Sequence, residues 1–216
     1  VLGFAPPFLM IVAPVAVVMH QPDLGTSLMI LFAGVCIMFL GGLLWRIIAA
    51  GAIVAVGGAI FAYFGVLHEY QRQRVDVFLG ITQDPLGAGY HVLQSKIAIG
   101  SAGLLGRGWM QGTQSQLDFL PEKHTDFIFT MIVEEFGLLG GALVLVLFGA
   151  LLAFTMQVAY KARSLFGKLA AGGIAATLAC YVFINTAMVI GLVPVVGIPL
   201  PMISFGGTAM VTLMAG

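Results

Sequence analysis

Charge is what this chain has least of. Its 216 residues include nine Lys or Arg and nine Asp or Glu, so 8% are charged, against about 25% in an ordinary soluble domain. With 60% hydrophobic residues and a mean hydropathy of +1.08, that scarcity excludes a soluble globule and points to an integral membrane protein. The formal net charge is zero, which leaves no basic excess to suggest nucleic-acid binding. Cysteine is nearly absent. Cys36 and Cys180 each sit in an apolar run and read as small buried hydrophobes, not as a disulfide or metal pair. The four histidines, His20, His68, His91 and His124, are scattered without metal-ligand spacing. Glycine is plentiful, at 29 residues with 9 prolines, which suits closely packed membrane helices with broken or re-entrant segments.

A spanning helix needs about 20 mostly apolar residues. Residues 4–20 form a short run interrupted by Pro6, Pro7 and Pro14. Residues 24–44 form a clean span, Trp45 and Arg46 make a tight turn, and 47–67 form a Gly- and Ala-rich span. Residues 126–157 and 169–191 span again, and 204–216 begin a last span. The expected organisation is all-α and polytopic. Residues 1–67 carry three transmembrane helices, the first short. Residues 68–125 form one large extracytoplasmic loop with short interfacial helices. Residues 126–216 carry three more spans, the last truncated. Because residue 1 is Val and the last apolar run stops at Gly216, the chain reads as an internal piece of a longer protein. Its first run reads as a cut span and not a signal peptide, since it has no basic n-region and no cleavage site. Lys161, Arg163 and Lys168 in one short loop and Arg46 in another place those loops in the cytoplasm, and alternation places 68–125 and 192–203 outside.

Within the long loop, Tyr90, Val92, Leu93 and Ile97 recur at helical spacing while Gln94, Ser95 and Lys96 supply a polar side, so residues 89–100 are expected to be an interfacial or re-entrant helix. The run from Gly112 to Asp126 is the densest polar stretch, and Glu122, Lys123, His124 and Asp126 crowd into five residues beside a membrane. Thr125 reads as an N-cap with Asp126 as the first helical residue. Helix-dipole complementarity is the plain alternative for Asp126. Glu134 and Glu135 fall inside the apolar part of the same helix, where a carboxylate costs about 2.5–3.5 kcal/mol and needs a partner. They make either a structural polar contact or a hydrated cavity. Asp23 follows Pro22 at another helix start, where capping is the bland reading. Lys96 and Arg107, with Arg72 and Arg74, offer cations for an anionic head group. Attraction to a lipid surface, or pairing with Glu69, Asp76 and Asp84, would explain them equally. The stretch of residues 191–207 is too proline-rich for a helix and reads as an extended or re-entrant cap over a cavity.

Several of these segments occur together in one known family. Gln21-Pro-Asp-Leu-Gly-Thr-Ser27, Tyr70-Gln-Arg-Gln-Arg-Val75, Asp84-Pro-Leu-Gly-Ala-Gly-Tyr-His91, Gln94-Ser-Lys96, residues 112–129, Glu134-Glu135-Phe-Gly137 and residues 191–207 resemble the SEDS family (shape, elongation, division, sporulation) in order and spacing, over essentially the whole chain. Leu120-Pro-Glu-Lys-His-Thr-Asp-Phe-Ile-Phe129 is highly specific, and Gly112-Thr-Gln-Ser-Gln116 resembles the elongation branch, not the division branch. The family has ten transmembrane helices, and the chain resembles the last six. The resemblance implies a peptidoglycan glycosyltransferase in the bacterial cytoplasmic membrane that polymerises lipid II on the outer face. Asp126 would be the general base of an inverting transfer, with a class B penicillin-binding protein as partner. It implies no tightly bound cofactor. Cationic help for the leaving pyrophosphate would come from a divalent ion (Mg or Mn) or from basic side chains. Lys96, Arg72, Arg74, Lys123, Gln114, Glu122 and His124 are then the substrate-binding candidates, and Asp23, Glu134, Glu135 and Ser204 the cavity-shaping ones. A lipid II flippase and a non-catalytic scaffold of the elongation machinery are the competing readings.

Overall fold

The computed structural model describes residues 2–21, 23–65, 69–81, 88–112, 114 and 125–205. Among them the chain has helices joined by turns and non-helical connections, and no strand. After a short turn at Leu2–Phe4 come α1 (Ala5–His20), α2 (Leu24–Leu40), α3 (Trp45–Gly65), α4 (Glu69–Phe78), α5 (Ala88–Ala102), α6 (Ile128–Lys161) and α7 (Leu165–Val189). By length and composition α3, α6 and α7 can each cross a membrane, and α1 and most of α2 are shorter apolar helices. The final span expected at 204–216 lies outside the described residues from 206 onward. Contacts divide the chain into two compact units, Val1–Gln73 with Thr155–Thr177, and Arg74–Phe154 with Leu178–Gly216.

The first unit is built on close helix approach. Pro6 and Pro7 fall at the start of α1, where a missing N–H is harmless, and Pro14 sits inside one continuous helix. Pro14 was expected to interrupt this run and does not. In membrane helices the backbone groups a proline frees are readily satisfied by neighbours. Gly34 of α2 packs on Ile11 of α1, and Gly172 and Gly173 pack on Leu40 and Ile37. Small residues let helix backbones approach. The α2–α3 turn occupies residues 41–44 and not Trp45 and Arg46. Gly42 (φ +96°) lets the Leu43 N–H return to the Met38 carbonyl at 3.0 Å, and Trp45 opens α3.

The second unit has one apolar core. Ala102, Phe127, Phe129, Val133, Phe148, Leu178, Val182, Met188, Val189 and Leu200 form it. The helix expected near residues 89–100 is α5. Ser95 and Ala98 are fully buried, while Leu93 and Ile97 are 56% and 44% exposed. In a lipid-facing bundle, apolar side chains can look outward, and small or polar ones pack within. Ser95 Oγ donates to the Val189 carbonyl at 2.8 Å and lies 2.7 Å from Thr130 Oγ1. Its single proton is thus committed, so Thr130 must donate to it. This node ties α5, α6 and the end of α7 together. The helix α4 was not anticipated. Its polar, charged sequence lacks an apolar stripe.

One long helix was expected from residue 126, but α6 is broken. Gly137 has φ 71° and ψ −169°, and residues 103–108 fill the break. The N–H groups of Arg107 and Gly108 bond the carbonyls of Glu134 and Glu135, both at 3.0 Å. The N–H groups of Leu138 and Leu139 bond the carbonyls of Gly103 and Leu104, at 3.0 and 3.2 Å. The helical bonds lost at the break are thereby remade with the loop. A Cβ on Gly106 (φ +78°) would run into the Glu135 carbonyl, and one on Gly137 into the Leu104 carbonyl. Residues 138–161 alone extend about 36 Å at 1.5 Å per residue, more than the roughly 30 Å of a hydrocarbon core. The helical turns before the break, which carry both glutamates, are therefore not needed for crossing. Replacing Gly106 or Gly137 by Ala should lower thermal stability in detergent by about 2 kcal/mol or more. Gly57→Ala, which meets nothing within 4 Å, should leave it unchanged. Melting curves of the three variants test this.

Candidate active site

The second unit gathers its polar groups around the start of α6. Asp126 is not in the helix. Thr125, Asp126 and Phe127 form a turn and α6 begins at Ile128, with the N–H groups of Thr130 and Met131 on the Phe127 carbonyl at 3.0 and 3.3 Å. The expectation of a Thr125 cap with Asp126 as first helical residue is corrected. Phe127, 1% exposed, is drawn into the core, and the turn that buries it sets Asp126 at its edge, half-buried.

The side chain of Asn185 fixes that turn. Asn185 is fully buried on α7 and donates from Nδ2 to the Asp126 carbonyl at 2.8 Å and to the Ile198 carbonyl at 2.7 Å. Both bonds need the amide nitrogen, so the orientation of the group is determined. One amide thereby links the turn before α6 to the non-helical connection after α7. The Asp126 carboxylate lies beside Gly197 of that connection. A Cβ there would stand 3.4 Å from Oδ2. Asn185 was not foreseen, although its signal was present in the sequence: a lone amide in an apolar helix is retained where it bridges neighbours.

The same connection walls a cavity of about 200 Å³, lined by Val77, Phe78, Val92, Leu93, Lys96 and Pro194 among others. Its walls are largely apolar. Lys96, exposed on α5, lies across Gly191 (φ +73°), where a Cβ would meet Nζ at 2.5 Å. Among the described residues Lys96 has no anionic partner. The connection was expected to cap a cavity, and this geometry agrees with that reading.

Behind the turn, Glu134 and Glu135 are 0% and 2% exposed. Glu134 Oε1 accepts the backbone N–H of Gln114 at 2.8 Å. Among the described residues Glu135 Oε1 and the Gln114 Oε1 have no donor. Both glutamates are therefore buried. Adjacent side chains point about 100° apart on a helix, but the inserted loop covers the second direction as well. Ser204 is buried with its Oγ unpartnered among the described residues. The remaining candidates stand elsewhere. Asp23 and Arg72 belong to the first unit. Asp23 is the α2 cap, accepting from the Thr26 N–H at 3.0 Å and hydroxyl at 2.6 Å. The Arg72 guanidinium lies 5.5 Å from the centre of the Tyr63 ring, which suits a cation–π contact. Arg74 is in α4, and its side chain falls outside the described residues, as do Glu122, Lys123 and His124. Arg107 spends its N–H in the helix break and is exposed.

Asn185→Leu should leave the buried Asp126 and Ile198 carbonyls without donors, at about 1–3 kcal/mol each. Asn185→Asp should be as damaging, because a carboxylate would face two carbonyls. Thermal stability and function of both variants, compared with Asn185→Ser, check this.

The comparisons with known proteins agree with this architecture. The family profile described as cell cycle protein, covering FtsW, RodA and SpoVE, matches residues 1–216. The chain is 49% identical over 207 residues to the peptidoglycan glycosyltransferase MrdB of Escherichia coli K12, covering 96% of this chain and 56% of that one. Among solved structures, a chain from work on the structural coordination of polymerization and crosslinking by a peptidoglycan synthase complex superposes with a TM-score of 0.81 at 31% identity, covering 98% of this chain and 58% of that one. An Asp-to-Ala mutant of the rod shape determining protein RodA of Thermus thermophilus superposes at 0.65 with 25% identity, covering 100% and 54%. The chain thus spans a little over half the length of the relatives it matches. Together with the turn, connection and broken helix described above, these matches make the chain a member of the SEDS family.

Proposed function

We propose that this chain is the catalytic half of a peptidoglycan glycosyltransferase that polymerises lipid II during cell-wall elongation. The observation that carries the reading is the position of Asp126: a half-buried carboxylate on a turn locked by Asn185, beside the connection that also walls the Lys96 cavity. A protein acting on a lipid-linked sugar needs a fixed base near the membrane and an apolar recess with a cation for the lipid phosphate. The name carried by the 49% identical relative supports the same reaction.

In this mechanism Asp126 takes the proton of the acceptor sugar 4-hydroxyl as its oxygen attacks the donor anomeric carbon. The new glycosidic C–O bond forms on the face opposite the breaking bond to the lipid pyrophosphate, which leaves with the bonding pair and with inversion at carbon. The base must come within about 2.6–3.2 Å of the hydroxyl oxygen. The turn's tether to the connection holds it there without a reorganisation step. Lys96 stabilises charge on the departing pyrophosphate, and the apolar walls receive the first units of its lipid chain. Among the described residues no three of His, Cys, Asp and Glu gather around one metal position. A Mg or Mn ion accompanying the pyrophosphate belongs with the substrate in this scheme, and no step is routed through it. Asp126 and the connection after α7 face outward from the bacterial cytoplasmic membrane in this scheme. A class B penicillin-binding protein is the proposed partner, in keeping with the synthase complex among the structural matches.

The full-length protein, purified with lipid II, should form glycan strands, and Asp126→Asn should reduce the rate at least ~1,000-fold. Polymer from both at equal rates would remove Asp126 from the chemistry, and lipid translocation without polymer would favour a flippase. Lys96→Ala should lower kcat/KM ~10–100-fold and Lys96→Arg less, as expected for a charge–pyrophosphate contact.

A further inference from the structure

We infer that Glu134 is a positioning residue that holds Gln114 as a hydrogen-bonding contact for the substrate. The inference rests on the polymerase reading. Glu134 grips the preceding chain at two points. Its backbone carbonyl accepts the Arg107 N–H at 3.0 Å, and its carboxylate accepts the Gln114 N–H at 2.8 Å. One buried residue therefore closes the loop of residues 107–114 on itself. Between these points the loop is further set by the Gly108 N–H on the Glu135 carbonyl, the Gln111 N–H on the Gly108 carbonyl at 3.1 Å, and Trp109 against Phe136 with ring centres 5.6 Å apart.

The side chain held in this way has its acceptor unused. Gln114 is half-buried, and among the described residues its Oε1 is enclosed without a donor. A buried carbonyl oxygen left unpaired is unfavourable by about 1–3 kcal/mol, so the site favours an occupant that supplies an N–H or O–H. Sugar hydroxyls and the acetamido and peptide N–H groups of lipid II are of that chemistry. Gln114 also begins the stretch of chain that leads to Asp126. Gln114 itself is held by Glu134, and Asp126 by Asn185. Glu134 does not touch reacting atoms in this scheme. It acts through Gln114, and for that role it needs only an acceptor oxygen, not a charge.

That distinction gives the test. In the full-length protein, Glu134→Gln keeps an acceptor oxygen and should stay within ~3-fold of wild type in KM and kcat. Glu134→Ala should raise KM for lipid II ~10-fold while kcat at saturation falls no more than ~3-fold, because Asn185 still fixes Asp126. Loss of folded protein would instead lower kcat at unchanged KM, and that result would overturn the inference. So would Glu134→Gln failing like Glu134→Ala, which would mean that the carboxyl's charge or proton is what matters. Gln114→Leu should raise KM similarly, and the double variant should be no worse than either single one. Additive effects would show that Glu134 does not act through Gln114. Binding of dansyl-labelled lipid II, read by anisotropy, should weaken ~10-fold in Glu134→Ala and not in Glu134→Gln. This readout needs no turnover. If wild type binds and makes no glycan, the polymerase reading fails while the Glu134 inference is still decided by the binding ratio.

Discussion

The structure depends on how a helix is interrupted where water is scarce. A backbone break in a membrane protein exposes donors and acceptors that lipid cannot satisfy, so such breaks survive only where protein fills them. At Gly137 the filling is reciprocal: two N–H groups of residues 103–108 take the carbonyls the break releases, and two carbonyls of the same loop take the released N–H groups. The exchange requires backbone-to-backbone contact, and the two glycines at the crossing allow it. Because the loop is inserted there, the turns of α6 before Gly137 point where the loop dictates, and Asp126, Glu134 and Glu135 take their places from it. The part of α6 before Gly137 is in effect a separate short helix, mounted on a longer one that is by itself long enough to cross a membrane.

The sequence disclosed the class of molecule, most of its helices and Asp126, the carboxylate proposed as the base. Low charge and long apolar runs were enough for α3, α6 and α7, which are of spanning length, and for the shorter apolar helix α2, because burial in lipid is a matter of length and composition. The pattern of α5 disclosed a helix with a polar side, but not what that side packs against. In a bundle bathed in lipid the small and polar residues Ser95 and Ala98 face the interior and Leu93 and Ile97 face out. Helix α4, polar and without a stripe, gave no periodicity to detect. The break at Gly137 was invisible because Gly is common in membrane helices, and only the partner loop distinguishes a tolerated glycine from a required one.

The candidate site divided along similar lines. Asp126 was legible because carboxylates are rare in this chain and crowd in one stretch. Asn185 was not, since a single amide in an apolar helix has no local sequence partner. The residues it joins are 59 and 13 positions away in the chain. The cationic candidates have different surroundings: Lys96 stands at the cavity beside the connection, whereas Arg72, in the first unit, lies against Tyr63. Charge alone could not make that distinction, because a cation answering a phosphate and one resting on an aromatic ring look the same in a sequence.

Three carboxylates in this region have three different surroundings, and the differences follow from what each must do. Asp126 is half-buried on a turn whose backbone is held from behind by the Asn185 amide. Glu134 is fully buried and turned onto a backbone N–H, which suits a group that holds chain. Glu135 has an oxygen without a donor among the described residues, beside the crossing that interrupts α6. Placing the one accessible acid outside the core and the other two within it keeps the hydrated part of the site small. That economy fits a chain with so few charges, in which each ionisable group near the hydrocarbon must be justified by a contact it makes.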